Sequence, residues 1–164
     1  MLAIRVVGQK TANPSLKFAP SGRWDAICGA PLSYTLGPTE MPRYIGSCHC
    51  GAVRFEIETV IDRVTECNCS ICHKKGILHH RVTPDRFRLL SGEANLGTYQ
   101  FGSKVAKHHF CKTCGIHVFT RPRAAPDLYT VNVRVLDDYD LARESPEVVQ
   151  FDGRHWEENV VSLK

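Results

Sequence analysis

Cys67-Asn68-Cys69-Ser70-Ile71-Cys72 is the densest of three cysteine groups in this chain; the others are Cys48-His49-Cys50 and Cys111-Lys112-Thr113-Cys114-Gly115. Together they contain seven of the eight cysteines. A Cys-x-x-Cys turn can present two thiolates to one tetrahedral ion at about 2.3 Å each. The glycine that follows allows the left-handed backbone of such a turn. We therefore expect the three groups to bind metal and to fix the fold around it.

A disulfide framework is the alternative use of so many cysteines. Eight cysteines allow 105 pairings, but such frameworks belong mainly to small secreted domains. The first residues carry Arg5 inside their only apolar stretch, which is not typical of a secretory signal. No apolar run is long enough to cross a bilayer. We expect a cytoplasmic protein with reduced thiols and no membrane partner.

Composition favours one globular domain without a nucleic-acid footprint. The chain has 164 residues, 43% of them apolar, which suffices for a single buried core. Its formal net charge is +4, and seven thiolates with two divalent ions would take this to about +1. A dedicated nucleic-acid binder carries a much denser basic surface. Nucleic acid is therefore not an expected partner.

Residues 1–42 differ from the rest of the sequence. They are interrupted by five prolines and show no period of 2 or 3.6. We expect a poorly ordered extension, either a genuine tail or the result of a misplaced start, with Met41 as the true first residue. The expected zinc-binding domain spans residues 43–158, and residues 159–164 form a C-terminal tail. Cys28 lies in the extension and receives no role.

From residue 43 onward the pattern is that of a mainly β protein. Residues 53–58 alternate apolar and charged side chains, as in an antiparallel strand with one solvent-exposed face. Short helices are expected only at 84–87, at 136–141 and in the turn after Cys69. The remaining predicted strands cover residues 78–82, 87–90, 97–101, 106–110, 116–120 and 128–135.

The seven grouped cysteines divide naturally into four and three. Cys48, Cys50, Cys111 and Cys114 can close a structural zinc site that clips the start of the domain to a hairpin near its end. Cys67, Cys69 and Cys72 can bind a second zinc and leave its fourth position vacant, as in catalytic sites. The alternative is that a histidine closes this second site; the candidates are His79, His80, His108 and His109, whereas the position of His73 directs it away.

The same residues resemble those of the glutathione-dependent formaldehyde-activating enzymes, a family whose relatives include centromere protein V. The resemblance runs in order over residues 44–158 and implies a β-tent of antiparallel strands with the same division of the cysteines between a structural and a catalytic zinc. The matching motifs are Gly46-Ser47-Cys48-His49-Cys50-Gly51-Ala52-Val53-Arg54-Phe55, Cys67-Asn68-Cys69-Ser70-Ile71-Cys72-His73-Lys74-Lys75-Gly76, His109-Phe110-Cys111-Lys112-Thr113-Cys114-Gly115, Val131-Asn132-Val133-Arg134 with Leu136-Asp137-Asp138, and Phe151-Asp152-Gly153-Arg154-His155-Trp156-Glu157.

The function implied by the resemblance is a zinc-dependent carbon–sulfur lyase or synthase. Its reaction would join glutathione and formaldehyde, or a related aldehyde, into S-hydroxymethylglutathione, so a small thiol and an aldehyde are the expected partners. Lys74 and Lys75 either offset the charge of the triad, the three-cysteine group Cys67, Cys69 and Cys72, or hold a glutathione carboxylate, or form an ordinary solvated pair. Two alternatives stay open: a non-catalytic zinc module that binds a protein or nucleic acid, and a redox switch in which the three-cysteine group oxidises on zinc loss.

Overall fold

The computed structural model describes residues 40–163, without the side chain of Leu163. The predicted extension lies almost entirely outside this part of the chain, as does Cys28. No helix within the described residues is long and apolar enough to cross a membrane.

Ten strands and three short helices form the described part of the chain, and 3-10 turns join several of them. The strands are β1 (Arg43–Ser47), β2 (Arg54–Glu58), β3 (Arg63–Cys67), β4 (Leu78–Val82), β5 (Phe87–Ser91), β6 (Leu96–Tyr99), β7 (Lys107–Cys111), β8 (His117–Arg121), β9 (Tyr129–Asn132) and β10 (Glu147–Phe151). The helices are α1 (Ser70–Lys75), α2 (Leu141–Glu144) and α3 (Trp156–Asn159).

The strands form two sheets. The smaller has the order β1-β2-β5, and the larger has the order β10-β3-β4-β9-β8-β7-β6. Every pairing is antiparallel except that of β10 with β3, which is parallel and sets Phe151 opposite Cys67. The mainly β fold with few short helices is thus confirmed, with one parallel pair added at an edge of the larger sheet.

The main core joins the two sheets through aromatic side chains. Phe55 of β2 lies 5.5 Å from Phe87 and 5.8 Å from Phe119 of β8, measured between ring centroids. Phe87 also stacks on Tyr129 at 3.9 Å. Phe55 and Phe119 are almost completely buried. Aromatic pairs of this kind add about 0.5–1.5 kcal/mol each beyond the burial of their area.

A second, smaller apolar cluster lies at the β3–β10 edge. Cys67, Cys72, Ile77 and Phe151 form its buried part, and Trp156 packs against it. The three-cysteine group therefore belongs to this local cluster, whereas Cys48 and Cys111 belong to the main core. The two cysteine groups are embedded in different parts of the packing.

Candidate metal centres

Cys48, Cys50, Cys111 and Cys114 converge as the spacing predicts. Their Sγ atoms all lie within 4.8 Å of one another, with 3.6 Å between Cys48 and Cys50 and 3.7 Å between Cys50 and Cys111. A tetrahedral zinc with about 2.3 Å bonds requires sulfurs about 3.8 Å apart. These separations fit a four-thiolate ion and are far longer than a disulfide bond of about 2.05 Å. All seven cysteines in the described residues are free thiols.

Two similar turns present these four sulfurs. Gly51 follows the first pair with φ +73°, and Gly115 follows the second with φ +75°. In each turn the glycine N–H donates to the carbonyl of the first cysteine, Cys48 or Cys111, at 2.9 and 2.8 Å. The left-handed conformation suits glycine because it has no Cβ. The glycine predicted to permit such a turn after Cys114 does so, and Gly51 repeats the arrangement.

Hydrogen bonds to sulfur prepare this group for the thiolate state. The Val53 backbone N–H donates to Cys48 Sγ at 3.3 Å, and the Asn95 side-chain amide donates to Cys111 Sγ at 3.3 Å. Burial acts to raise the pKa of the Cys114 thiol, but N–H donors, led by the backbone of Ile116, outweigh it and lower the pKa to about 6. Donors directed at sulfur favour the ionised form that a metal needs.

The second group is formed where β3 meets α1. Cys67 ends β3, Cys69 is the residue before α1, and Cys72 lies within the helix. Their three Sγ atoms also lie within 4.8 Å of one another. The hydrogen bond to Cys67 lowers the pKa of Cys69, whereas hydrogen bonds with Cys67 and Cys69 raise the pKa of Cys72. Three thiols this close cannot all ionise without a cation among them, so the donor set fits a zinc ion.

Of the histidines considered as a fourth ligand, His79 is the one that touches the triad. Its Nε2 lies 3.1 Å from Cys72 Sγ, but it does not join the three sulfurs as a fourth mutually close donor among the described residues. Burial lowers the pKa of His79 to about 4, so its ring is neutral at neutral pH. It is placed to share a hydrogen bond with Cys72.

The other candidate histidines have different partners. His80 donates from Nδ1 to the Arg63 carbonyl at 3.0 Å, so its Nε2 accepts from the Thr59 hydroxyl at 3.1 Å. His109 Nδ1 lies 3.1 Å from the Thr98 hydroxyl, and His108 Nδ1 lies 3.4 Å from the hydroxyl of Thr120. His73 is exposed on α1. The structure thus assigns three of the four candidates to contacts within the sheets.

The segment after β10 lies directly against the triad. A Cβ built on Gly153 would be 2.5 Å from Cys67 Sγ and 2.9 Å from Cys69 Cβ. Asn68 holds this segment in place, because its side-chain amide donates to Asp152 at 2.9 Å and its Oδ1 accepts from the Arg154 N–H at 3.1 Å. The triad is therefore assembled from the β3–α1 turn together with a cover that lies more than 80 positions later in the sequence.

A cavity of about 480 Å³ opens onto the three sulfurs. Its walls are mainly apolar, and its lining, taken from residues 40–163, includes three arginines but no aspartate or glutamate. Lys74 and Lys75 are not among the lining residues; the Lys75 ammonium lies instead 5.4 Å from the Phe110 ring centroid. The lining residues most relevant here are Cys67, Cys69, Cys72, Arg81, Phe101, His108, Arg123, Phe151, Arg154 and Trp156.

Sequence reasoning placed the cysteines and named His79 and His108, which both line the cavity, but it did not single out the other cavity residues. Phe101, Arg123 and Trp156 belong to separate loops and helices with no shared spacing. The one signal available was the Phe151–Glu157 stretch, whose resemblance to the family motif included Gly153 and Arg154. In the structure the Phe151–Glu157 stretch lies over the three-cysteine group, which explains why the two motifs occur together.

Comparison with known proteins agrees with this geometry. Residues 43–153 match the family model described as glutathione-dependent formaldehyde-activating enzyme. The chain is also similar to the crystal structure of a Rhodobacter sphaeroides protein, with 38% sequence identity and a TM-score of 0.60 over 65% of this chain and 98% of that one. The range matched by the family model, residues 43–153, spans all seven grouped cysteines.

Proposed function

Because this chain belongs to the glutathione-dependent formaldehyde-activating enzyme family, we propose that it is a zinc-dependent carbon–sulfur lyase or synthase acting on a thiol–aldehyde adduct. Glutathione and formaldehyde are the first pair to test, and S-hydroxymethylglutathione is the adduct. The observation that carries the proposal is the position of the three-cysteine group at a cavity large enough for a small-molecule ligand. Cys48, Cys50, Cys111 and Cys114 would hold the structural zinc.

The reaction needs few groups. The thiol sulfur forms a bond to the carbonyl carbon, the carbon–oxygen π bond breaks, and the proton released by the thiol ends on the new hydroxyl oxygen. A zinc ion held by Cys67, Cys69 and Cys72 would lower the pKa of the substrate thiol from its usual value of about 8.5. The apolar cavity would keep the two reactants together and exclude bulk water.

His108 lines the cavity and offers a ring nitrogen to the ligand. Its Nδ1 faces the Thr120 hydroxyl, so Nε2 is the ring nitrogen left for a ligand. Burial lowers the pKa of His108 to about 4, and the ring is therefore neutral at neutral pH. A ring of such low basicity takes up a proton only weakly, so His108 is suited to exchanging a hydrogen bond with the ligand through Nε2 and not to holding the thiol proton.

Cys69→Ser tests the proposal directly. We expect this variant to lose the second zinc and any acceleration of adduct exchange, while the fold remains intact because the four-cysteine group is untouched. Exchange NMR on glutathione, formaldehyde and their adduct measures the rate beside the fast uncatalysed addition. Cys28→Ser, which removes a cysteine with no assigned role, is the matched control.

The outcomes separate the candidate functions. Acceleration by the wild type and by Cys28→Ser, but not by Cys69→Ser, supports the enzyme. A wild-type protein that binds two zinc ions but neither accelerates exchange nor changes its zinc coordination on adding glutathione contradicts it. A non-catalytic zinc module, or a different thiol and aldehyde pair, would then be favoured.

A further inference from the structure

We infer that Arg154 determines thiol specificity by binding a carboxylate of the substrate, so that the site selects anionic thiols over neutral ones. The inference rests on the proposed function, because it concerns the ligand of the same cavity. It assigns to Arg154 a role that the cysteines cannot supply: three thiolates recognise neither the charge nor the shape of the molecule that carries the sulfur.

Arg154 is fixed to the turn that carries the triad. Its backbone N–H donates to Asn68 Oδ1 at 3.1 Å, and its Nε donates to the Asn68 carbonyl at 3.2 Å. Asn68 is the residue between Cys67 and Cys69. An exposed arginine ordinarily samples many rotamers, but this guanidinium is attached by Nε to the backbone of the proposed metal-binding turn. It is therefore positioned relative to the reacting sulfur.

The terminal nitrogens of Arg154 are left for a ligand. Among the described residues, no carboxylate lies within 4.0 Å of its guanidinium, and the nearest acids along the chain have other partners. Asp152 pairs with His155 at 2.7 Å, and Glu157 pairs with Arg123 at 2.6 Å. With Nε engaged, the two Nη groups can form the parallel pair of hydrogen bonds that a carboxylate accepts.

The surroundings favour a negative ligand. The cavity lining contains three arginines and, within the described part of the chain, no acidic residue. Arg123 is already paired with Glu157 and lies 5.3 Å from the Trp156 ring centroid, and Arg81 has interactions of its own within the protein. Arg154 is thus the lining arginine whose charge is least compensated. A carboxylate beside it would gain a charge-assisted pair at the mouth of an apolar cavity.

The test compares glutathione with its diethyl ester, which keeps the thiol and the amine but has no carboxylate. In adduct exchange we expect the wild type to prefer glutathione. Arg154→Gln should raise the KM for glutathione about tenfold, equivalent to about 1.4 kcal/mol, with kcat and the kinetics of the ester nearly unchanged. Arg154→Lys should recover part of the difference. Arg134→Gln, which removes an exposed arginine outside the cavity lining, is the matched control.

A binding measurement gives a readout independent of turnover. S-methylglutathione carries the carboxylates but has no thiol, and calorimetric titration into the zinc-loaded protein should show binding that Arg154→Gln weakens about tenfold. The diester of S-methylglutathione should bind the two proteins equally. Zinc content is measured for every variant, because Arg154 also contacts Asn68. If Arg154→Gln loses zinc, the same comparison is made with Arg154→Lys, which keeps the charge.

The results distinguish failure of this inference from failure of the proposed function. Equal exchange rates with glutathione and its ester, unchanged by the substitution, would overturn the role of Arg154 and leave the enzyme intact. Equal effects of the substitution on both thiols would also overturn it. Arg154-dependent binding of S-methylglutathione without acceleration of any thiol would support the carboxylate site and contradict the lyase.

Discussion

Gly153 shows how closely one residue can be tied to the proposed metal centre. The position has no room for a side chain, since a Cβ would lie 2.5 Å from Cys67 Sγ. Relief of such a contact requires the backbone after β10 or the sulfur to move. Overpacking of this kind costs about 1–3 kcal/mol. The requirement for glycine here is steric and concerns the triad itself.

We therefore expect Gly153→Ala to lose zinc selectively from the triad. Zinc content should fall from two ions toward one per chain, with a modest decrease in melting temperature, as measured by metal analysis and thermal unfolding. Gly97→Ala is the control. Gly97 lies on strand β6, and a Cβ there would lie 2.5 Å from the Phe110 ring. It should lower stability and retain both ions. Equal zinc content in the two variants would contradict the packing argument.

At the scale of elements, the four-cysteine group links the two sheets. Cys48 and Cys50 lie in the turn between β1 and β2 of the smaller sheet. In the larger sheet, Cys111 ends β7 and Cys114 lies between β7 and β8. A metal held by both turns would stabilise the packing of one sheet on the other. In such sites the free energy of metal binding contributes directly to folding.

Cys111→Ser should therefore abolish soluble, folded protein, the opposite of the result expected for Cys69→Ser. Cys111 is fully buried in the main core, and its sulfur accepts the Asn95 amide. The substitution removes a ligand and leaves the other three thiols without a closed site. Soluble yield, melting temperature and zinc content measure the effect. A Cys111→Ser protein with wild-type stability and full zinc would refute the structural assignment.

The strands differ in how well their sequences reveal them. β4 is found with its exact bounds, and β2 and β8 to within a residue, because each carries apolar side chains and lies near a glycine or proline that marks a turn. β1, β3 and β10 are missed. The sequences of β3 and β10, RVTEC and EVVQF, are short and half polar, and their pairing joins residues 84 positions apart. β3 and β10 are stabilised by their pairing with each other, and a local sequence pattern does not predict such a pairing.

The helix predictions show the same limit. The turn after Cys69 is helical as expected, and α1 ends at Gly76 with φ +58°. The helix expected at 136–141 forms instead at Leu141–Glu144, where the Asp140 carboxylate accepts from the Ala142 N–H at 3.0 Å. Leu136 and Tyr139 are buried in the main core, so tertiary packing holds the preceding residues outside a helix.

The candidate site likewise has one part that the local sequence predicts and another part that depends on tertiary structure. Cysteine spacing is local and could be read from the sequence, so both groups were predicted with all their members. The cover formed by Gly153 and Arg154 reaches the triad only through the β3–β10 pairing. Apart from the cysteines, His79 and His108, the side chains of the cavity could not be predicted, because their common feature is a position in space.

At the scale of the whole molecule, the described residues contain both cysteine groups and both sheets. β1 begins at Arg43, and all seven candidate ligands follow it in the sequence. We expect a chain starting at Met41 to keep its melting temperature within about 2 °C of the full-length value, less than the shift of a ~1 kcal/mol change, and to bind the same amount of zinc. A chain starting at Gly46, which loses most of β1, is the control and should be destabilised. A large loss on starting at Met41 would mean that residues 1–40 contribute to the fold.

The parallel pairing of β3 with β10 also fixes an order of events during synthesis. Asn68 and Asp152 are separated by 84 positions, and at about 5–20 residues per second the ribosome needs roughly 4–17 s to make the intervening chain. Throughout that interval Cys67, Cys69 and Cys72 are present without the backbone that will cover them. The nascent chain then carries three neighbouring thiols that are open to capture of an ion or to oxidation. We expect the supply of metal and of reductant in those seconds to affect the fraction of chains that reach the finished fold.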